Sequence, residues 1–191
     1  MVRNYEPDPI PRETIERIVR TIRRAPSGGF SQGQRLVVVT DPAQRREIAE
    51  LAGETEHYVP AGLDPWISRA PVQILVCARE DDYHDRYRQP DKLSDEGEEI
   101  EWPVPYWWFD AGALYMLILL AAIDEGLATG VVGAPRDRLD RIAELLGIPP
   151  DVRIGAIVTI GRPAPDRSDE LSSRGTYPRK PLEELVRWER W

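Results

Sequence analysis

The sequence predicts one soluble domain of mixed helices and short strands, assembled around a single apolar helix. Three observations carry that expectation. Ala111 to Ile123 is apolar on every side and is bounded by Asp110 and Asp124. A helix of that kind has to be covered all round, by the middle of its own domain and by a second subunit. Short apolar runs at Leu36–Val39, Val72–Cys77, Leu127–Gly133 and Ile154–Ile160 read as strands. Between them lie stretches with apolar residues at helical spacing. The 191 residues suit a single domain, 1–191, with a real core and no internal repeat.

Taken in order, Met1 to Pro9 is an extended arm because of its two prolines. A helix starts near Pro11, with Ile15, Ile18, Val19 and Ile22 on one buried face. Arg17, Arg20, Arg23 and Arg24 cover its other side, as a solvated face whose last members suit the helix dipole. Pro26 ends this helix. Asp41-Pro42 is a capping residue followed by proline at the first helical position, and it opens a helix to about Ala52. His57 to Arg69 is irregular. Glu80 to Glu101 is acidic and weakly periodic, and reads as a mobile helix-and-loop excursion or lid. Trp102 to Phe109 is the densest aromatic cluster, either a plug for the next helix or a wall over a planar ligand.

The central helix spans Asp110 to Glu125 and stops at Gly126. Asp137 to Leu146 is a further helix stopped by Gly147. Asp166 to Gly175 is polar loop. Beyond Tyr177–Pro181 a short helix runs to Trp188–Trp191, a tail rich in Leu, Val and Trp of the kind that packs on another subunit.

Net charge is −8, which argues against nucleic acid or an anionic membrane as partner, so an anionic ligand needs locally placed arginines. The single cysteine, Cys77, lies inside an apolar run and excludes an intrachain disulfide. No metal motif occurs. The N-terminus lacks the apolar stretch of a signal peptide, and the longest apolar run falls short of the ~20 residues of a membrane span. A cytoplasmic protein is expected.

The informative stretch is Ala25 to Arg35. Gly29-Phe30-Ser31-Gln32-Gly33 matches the serine-hydrolase elbow by letter. It sits in helix–turn–strand order, however, and the later half of the chain has no histidine, so that reading fails. What remains is a glycine-rich loop, an aromatic cluster and arginines near both ends, with almost no acid–base or nucleophilic equipment. That suits a site in which a bound cofactor supplies the chemistry.

The chain resembles the FMN-dependent nitroreductases in five segments that occur in the right order. They are Val2-Arg3-Asn4-Tyr5, Ala25-Pro26-Ser27-Gly28-Gly29 with Gln32, the central helix, Gly126 to Gly133, and Arg179-Lys180-Pro181-Leu182. The resemblance implies an α+β fold with a small, mixed but mainly antiparallel sheet flanked by helices. It implies a long apolar central helix at a homodimer interface and a C-terminal arm exchanged between subunits. It implies FMN held by Arg3, Pro26, Ser27, Gly28, Gly29, Gln32, Gly130, Val131, Val132, Gly133 and Arg179, with Phe30, Tyr106 and Trp107 facing substrate. The implied reaction is ping-pong hydride transfer from NAD(P)H through flavin to a nitroaromatic, quinone or related small-molecule acceptor. No catalytic side chain and no metal are required. A flavin-storing protein of the same fold is the alternative. The chain departs from the family pattern in three places. It lacks a second arginine before the first motif, leaving the phosphate to Arg179 and Arg174 unless the start is truncated. It has Phe30 where many members have Asn, and Gly33-Gln34 where many have Pro-Trp.

Overall fold

The computed structural model of the chain describes residues 1–165 and 178–191. The loop Asp166–Gly175, with Arg174, lies outside the described residues, as does Tyr177.

Helix α1 (Arg12–Val19) buries Ile15 and Ile18 and tightens into a 3₁₀ turn over Arg20–Arg24. Strand β1 (Gln34–Val39) begins two residues earlier than its apolar core suggests. In α2 (Pro42–Leu51) the Asp41 carboxylate accepts from the Ala43 and Gln44 amides at 3.0 and 2.9 Å, the expected cap. The stretch read as irregular contains a short helix, α3 (Trp66–Arg69), whose first amides are taken by the buried Glu54 carboxylate. Strand β2 (Val72–Arg79) leads directly into α4 (Asp81–Tyr87). Next come α5 (Tyr106–Asp124), β3 (Ala128–Val132), α6 (Arg136–Leu146), β4 (Val152–Gly161) and α7 (Leu182–Leu185).

The strands form one sheet in the order β1-β2-β4-β3, with every pair antiparallel. The expected mixed character is therefore not seen among the described residues. Alternation along β2 splits the core in two. Val72, Ile74, Val76 and Ala78 face α1 and α5, while Leu75 and Cys77 face α2, α3 and α6. Burial pushes the Cys77 thiol up to about 12, which makes it a core residue rather than a reactive one.

Two boundaries differ from the sequence reading. The central helix starts at Tyr106, so the aromatic run Tyr106–Phe109 is its first turn. The tail helix ends at Leu185, leaving Trp188 and Trp191 beyond it and 82% and 96% exposed. By length and composition α5 passes for a membrane span, yet Trp107, Asp110, Ala111, Leu114, Ile118 and Ala122 pack into the domain. Its other side is an open stripe, Phe109, Met116, Leu120 and Ile123. The helix covers itself on one side only, and the apolar other side is left facing out.

Candidate flavin site

The glycine-rich loop is held in a shape that few sequences adopt. Ser27 is extended, Gly28–Phe30 make one 3₁₀ turn, and Gly29, Phe30 and Gln32 all have positive φ of 55–62°. Two of these are not glycine, which costs backbone strain of the kind that collects at binding sites. Side chains fix the shape. The Gly28 amide donates to Asp110 Oδ2 at 2.8 Å, and the Tyr83 hydroxyl donates to the same oxygen at 2.7 Å. Gln34 Nε2 donates to Pro26 O at 2.7 Å, and Arg86 Nε donates to Gly29 O at 2.9 Å. Ser31 Oγ donates to Gly28 O at 2.6 Å, and among the described residues no histidine bonds it as the hydrolase reading would need. Gly33 is obligatory for packing, since a Cβ there would lie 2.4 Å from the Tyr83 ring and 2.7 Å from Arg79 O.

The acidic excursion supplies much of this support. Arg86 is gripped by both Asp91 oxygens at 2.8 and 2.7 Å, and its hydrogen bond holds the Asp91 carboxyl down to about 2. His84, Arg88 and the Trp102 indole converge on Glu99. Burial, and then the bond to Asp110, hold the Tyr83 phenol well above its ordinary range, so it stays a hydrogen-bond donor.

Tyr106 and Phe30 belong to this corner. The Tyr106 Cβ lies 3.9 Å from where a Gly28 side chain would start, and Phe30 is 73% exposed. Trp107 does not join them. It is buried against Tyr83, His84 and Trp102, because helical spacing turns it inward while its neighbours Tyr106 and Phe109 point out. Trp107 is thus the core plug of the aromatic cluster, and the open aromatic of that turn is Phe109. Sequence reasoning also missed Asp110, Tyr83 and Arg86. The signal for Asp110 was present: a carboxylate at the head of an apolar helix needs a buried partner.

The second group of candidate residues lies elsewhere. Val2 N donates to Thr129 O at 2.9 Å, so the N-terminal arm and half-buried Arg3 sit at the start of β3. Gly130 is required by packing, because a Cβ would meet Trp66, Val2 O and Thr159 Oγ1 within 2.7–2.8 Å. Gly133, in contrast, has nothing within 4 Å of that position and is open. β3 is an edge strand. Since Thr129 turns its carbonyl away from β4, alternation leaves the Val131 amide and carbonyl facing out as well. Val132 is buried beneath them. Arg179 is exposed and makes no hydrogen bond or ion pair among the described residues.

The two groups occupy diagonal corners of the sheet. Gln34, which ends the loop, is level with Ala78 and Arg153, whereas Gly130 is level with Thr159, Gln73 and Val39. Three strand spacings and about five residue rises separate them, on the order of 20 Å. They also lie at opposite ends of α5, about 28 Å long: Gly28 is bonded to Asp110 near its start, and β3 follows its end.

The sequence model of the Nitroreductase family matches residues 1–162. The chain belongs to the nitroreductase family. Among nitroreductase-family relatives, an FMN reductase [NAD(P)H] of Bacillus subtilis is 32% identical over 170 residues, covering 87% of this chain. This chain spans only 63% of that reductase's length. An NADH dehydrogenase of Thermus thermophilus is 27% identical, over 98% of this chain and 90% of its own. The solved structure of a hypothetical oxidoreductase from Bacillus subtilis superposes with a TM-score of 0.73 at 27% identity, over all of this chain and 70% of that one. The α+β fold with its antiparallel sheet is thus a nitroreductase-like fold.

Proposed function

We propose that the chain is an FMN-dependent NAD(P)H oxidoreductase that works as a homodimer. The observation that carries this reading is the diagonal separation of the two candidate corners, together with the open apolar stripe of α5. The ring system of a flavin, much shorter than that separation, cannot touch both corners of one chain. Two chains packed stripe to stripe about a two-fold axis, with their α5 helices antiparallel, bring one chain's loop to the other chain's β3. The printed activities of the relatives, FMN reductase and NADH dehydrogenase, agree with this reading.

The residues present suit FMN. Gly133 leaves open space beside a strand edge, and Val131 offers a free amide where negative charge on a reduced ring would need a donor. Arg3 and Arg179 are the side chains for the phosphate, for which a guanidinium fork is well shaped. The bound flavin supplies the hydride chemistry. The chain's part is to orient it: the Gly28–Gln32 loop lies along one side, with its strained backbone already set, and Phe30 and Tyr106 offer aromatic surface to a planar acceptor. No side chain has to donate or remove a proton. The donor and acceptor would bind in turn at the same open face, which gives ping-pong kinetics. The acceptor class is a nitroaromatic, quinone or related planar oxidant, and the setting is cytoplasmic. We further read the C-terminal arm as exchanged, with exposed Leu182, Leu185, Val186 and Trp188 covered by the partner.

The test is the visible spectrum of the purified protein without oxygen. A flavin band that bleaches with NADH or NADPH is expected. A band that neither nucleotide bleaches favours the flavin-storage alternative. Absence of flavin even after incubation with FMN sinks the proposal.

A further inference from the structure

Many of the described arginines are matched to carboxylates. Arg12 pairs with Glu16, Arg17 with Glu125, Arg35 with Asp82, Arg79 with Asp82 and Asp151, Arg86 with Asp91, and Arg138 with Glu56. Arg20, Arg23 and Arg24 have no such match, and unlike Arg46, Arg141 and Arg179, which also lack one, they stand together. They line a cleft of about 320 Å³ at the end of the first helix, and none makes a hydrogen bond or ion pair among the described residues. The local backbone gathers them. In a 3₁₀ turn the side chains at i and i+3 eclipse, so Arg20 and Arg23 stand on one side with Arg24 beside them. Three like charges held together without a counter-charge repel one another, and a multiply charged anion would relieve that. The rest of a chain of net charge −8 provides no general positive field, so the cleft is a local device.

Its position gives the ligand. Arg24 is three residues from Ser27, at most about 11 Å of chain, so the cluster borders the loop assigned to the flavin. The flavin phosphate is assigned elsewhere, to Arg3 and Arg179 at the β3 corner. A dinucleotide whose nicotinamide lies on the flavin must send its adenosine end outward past the loop rim. The geometry points to Arg20, Arg23 and Arg24 as a phosphate-binding cleft for the 2′-phosphate of NADPH, which makes NADPH the preferred donor. This rests on the NAD(P)H-oxidoreductase reading above.

The test compares 2′,5′-ADP with 5′-AMP, which differ only in the 2′-phosphate, by calorimetric titration of the purified holoprotein. The intact protein should bind 2′,5′-ADP at least tenfold more tightly. The triple variant Arg20→Gln/Arg23→Gln/Arg24→Gln should lose that preference, while Arg46→Gln/Arg141→Gln, which removes two exposed arginines elsewhere, should keep it. In turnover, the ratio of kcat/KM for NADPH to that for NADH should fall at least tenfold in the triple variant, through KM. No preference in the intact protein, or a preference that survives in the triple variant, overturns the inference. Release of flavin by the triple variant also overturns it, because the cluster would then hold the FMN phosphate. The titration reads the cleft even if no flavin is bleached, so this inference and the oxidoreductase reading fail separately.

Discussion

The two corners of the sheet are built by different means. The loop corner is made by side chains: Asp110, Gln34 and Arg86 each spend a hydrogen bond on the backbone between Pro26 and Gly29, and Tyr83 steadies the Asp110 carboxylate. The β3 corner is made by backbone and by the absence of side chains, with Gly130 closed over by Trp66 and Gly133 left open. The first corner is rigid because it is tied from outside. The second is shaped because the strand edge itself is regular. Damage to the first should act through long-range ties, and damage to the second through local volume.

The largest effect is expected where the comparison depends on a second chain. Met116→Lys with Leu120→Lys puts charge on the open face of α5, and a two-fold interface feels every change twice. Burying those ammonium groups should cost about 4 kcal/mol or more, roughly a thousandfold in dimer dissociation. Sedimentation should then show monomers, still folded by circular dichroism, with flavin lost. A flavin-loaded monomer would break the shared-site reading.

Asp110→Ala is next. It strands the Gly28 amide and the Tyr83 hydroxyl in a buried place, at a cost of about 3 kcal/mol, visible as a lower denaturation midpoint. Because the tie is specific, amide exchange should accelerate at Gly28–Gln32 and not in β3. Equal loosening at both corners would erase the distinction drawn here.

Gly130→Ala should cost about 2 kcal/mol by overpacking against Trp66, while Gly133→Ala should stay within about 0.5 kcal/mol of the parent in stability. If Gly133 faces flavin, its variant instead weakens FMN binding, measured by fluorescence titration of the apoprotein.

The smallest effect is on pH. Arg86 holds the Asp91 carboxyl down to about 2 in the folded chain, below the ~3.9 of a free aspartate. A depressed folded value means the contribution is present above the unfolded value and is lost as pH falls through the folded one. The grip on Gly29 should therefore be constant from pH 8 to 5 and loosen only toward pH 2. Exchange at Phe30 and Ser31 followed down that range checks it, and loosening already at pH 5 or above would contradict it.

These two modes of construction also decide what could be read from the sequence. The strands, the Asp41 cap and the central helix follow from local pattern, and the structure places them within a few residues. Gly28, Gly29 and Gly133 are visible as candidates because glycine advertises itself. Asp110, Tyr83 and Arg86 are not, since their partners lie 82, 27 and 57 residues away and no spacing announces a tie of that length. Trp107 groups with Tyr106 in the sequence because the two are adjacent, but a helix that starts at Tyr106 sends their side chains to different faces. The tail helix is shorter than its Leu, Val and Trp residues suggest, because those residues suit a packed helix and stay exposed among the described residues.

The diagonal placement of the corners has a consequence for mixtures of defective chains. If each site draws its loop from one subunit and its β3 edge from the other, a loop-defective chain and an edge-defective chain are each inactive alone. Paired together, they place both defects in one site and leave the other whole. Random pairing of equal amounts would restore about a quarter of the normal sites, so two inactive preparations should become active on mixing, at the rate at which the subunits exchange.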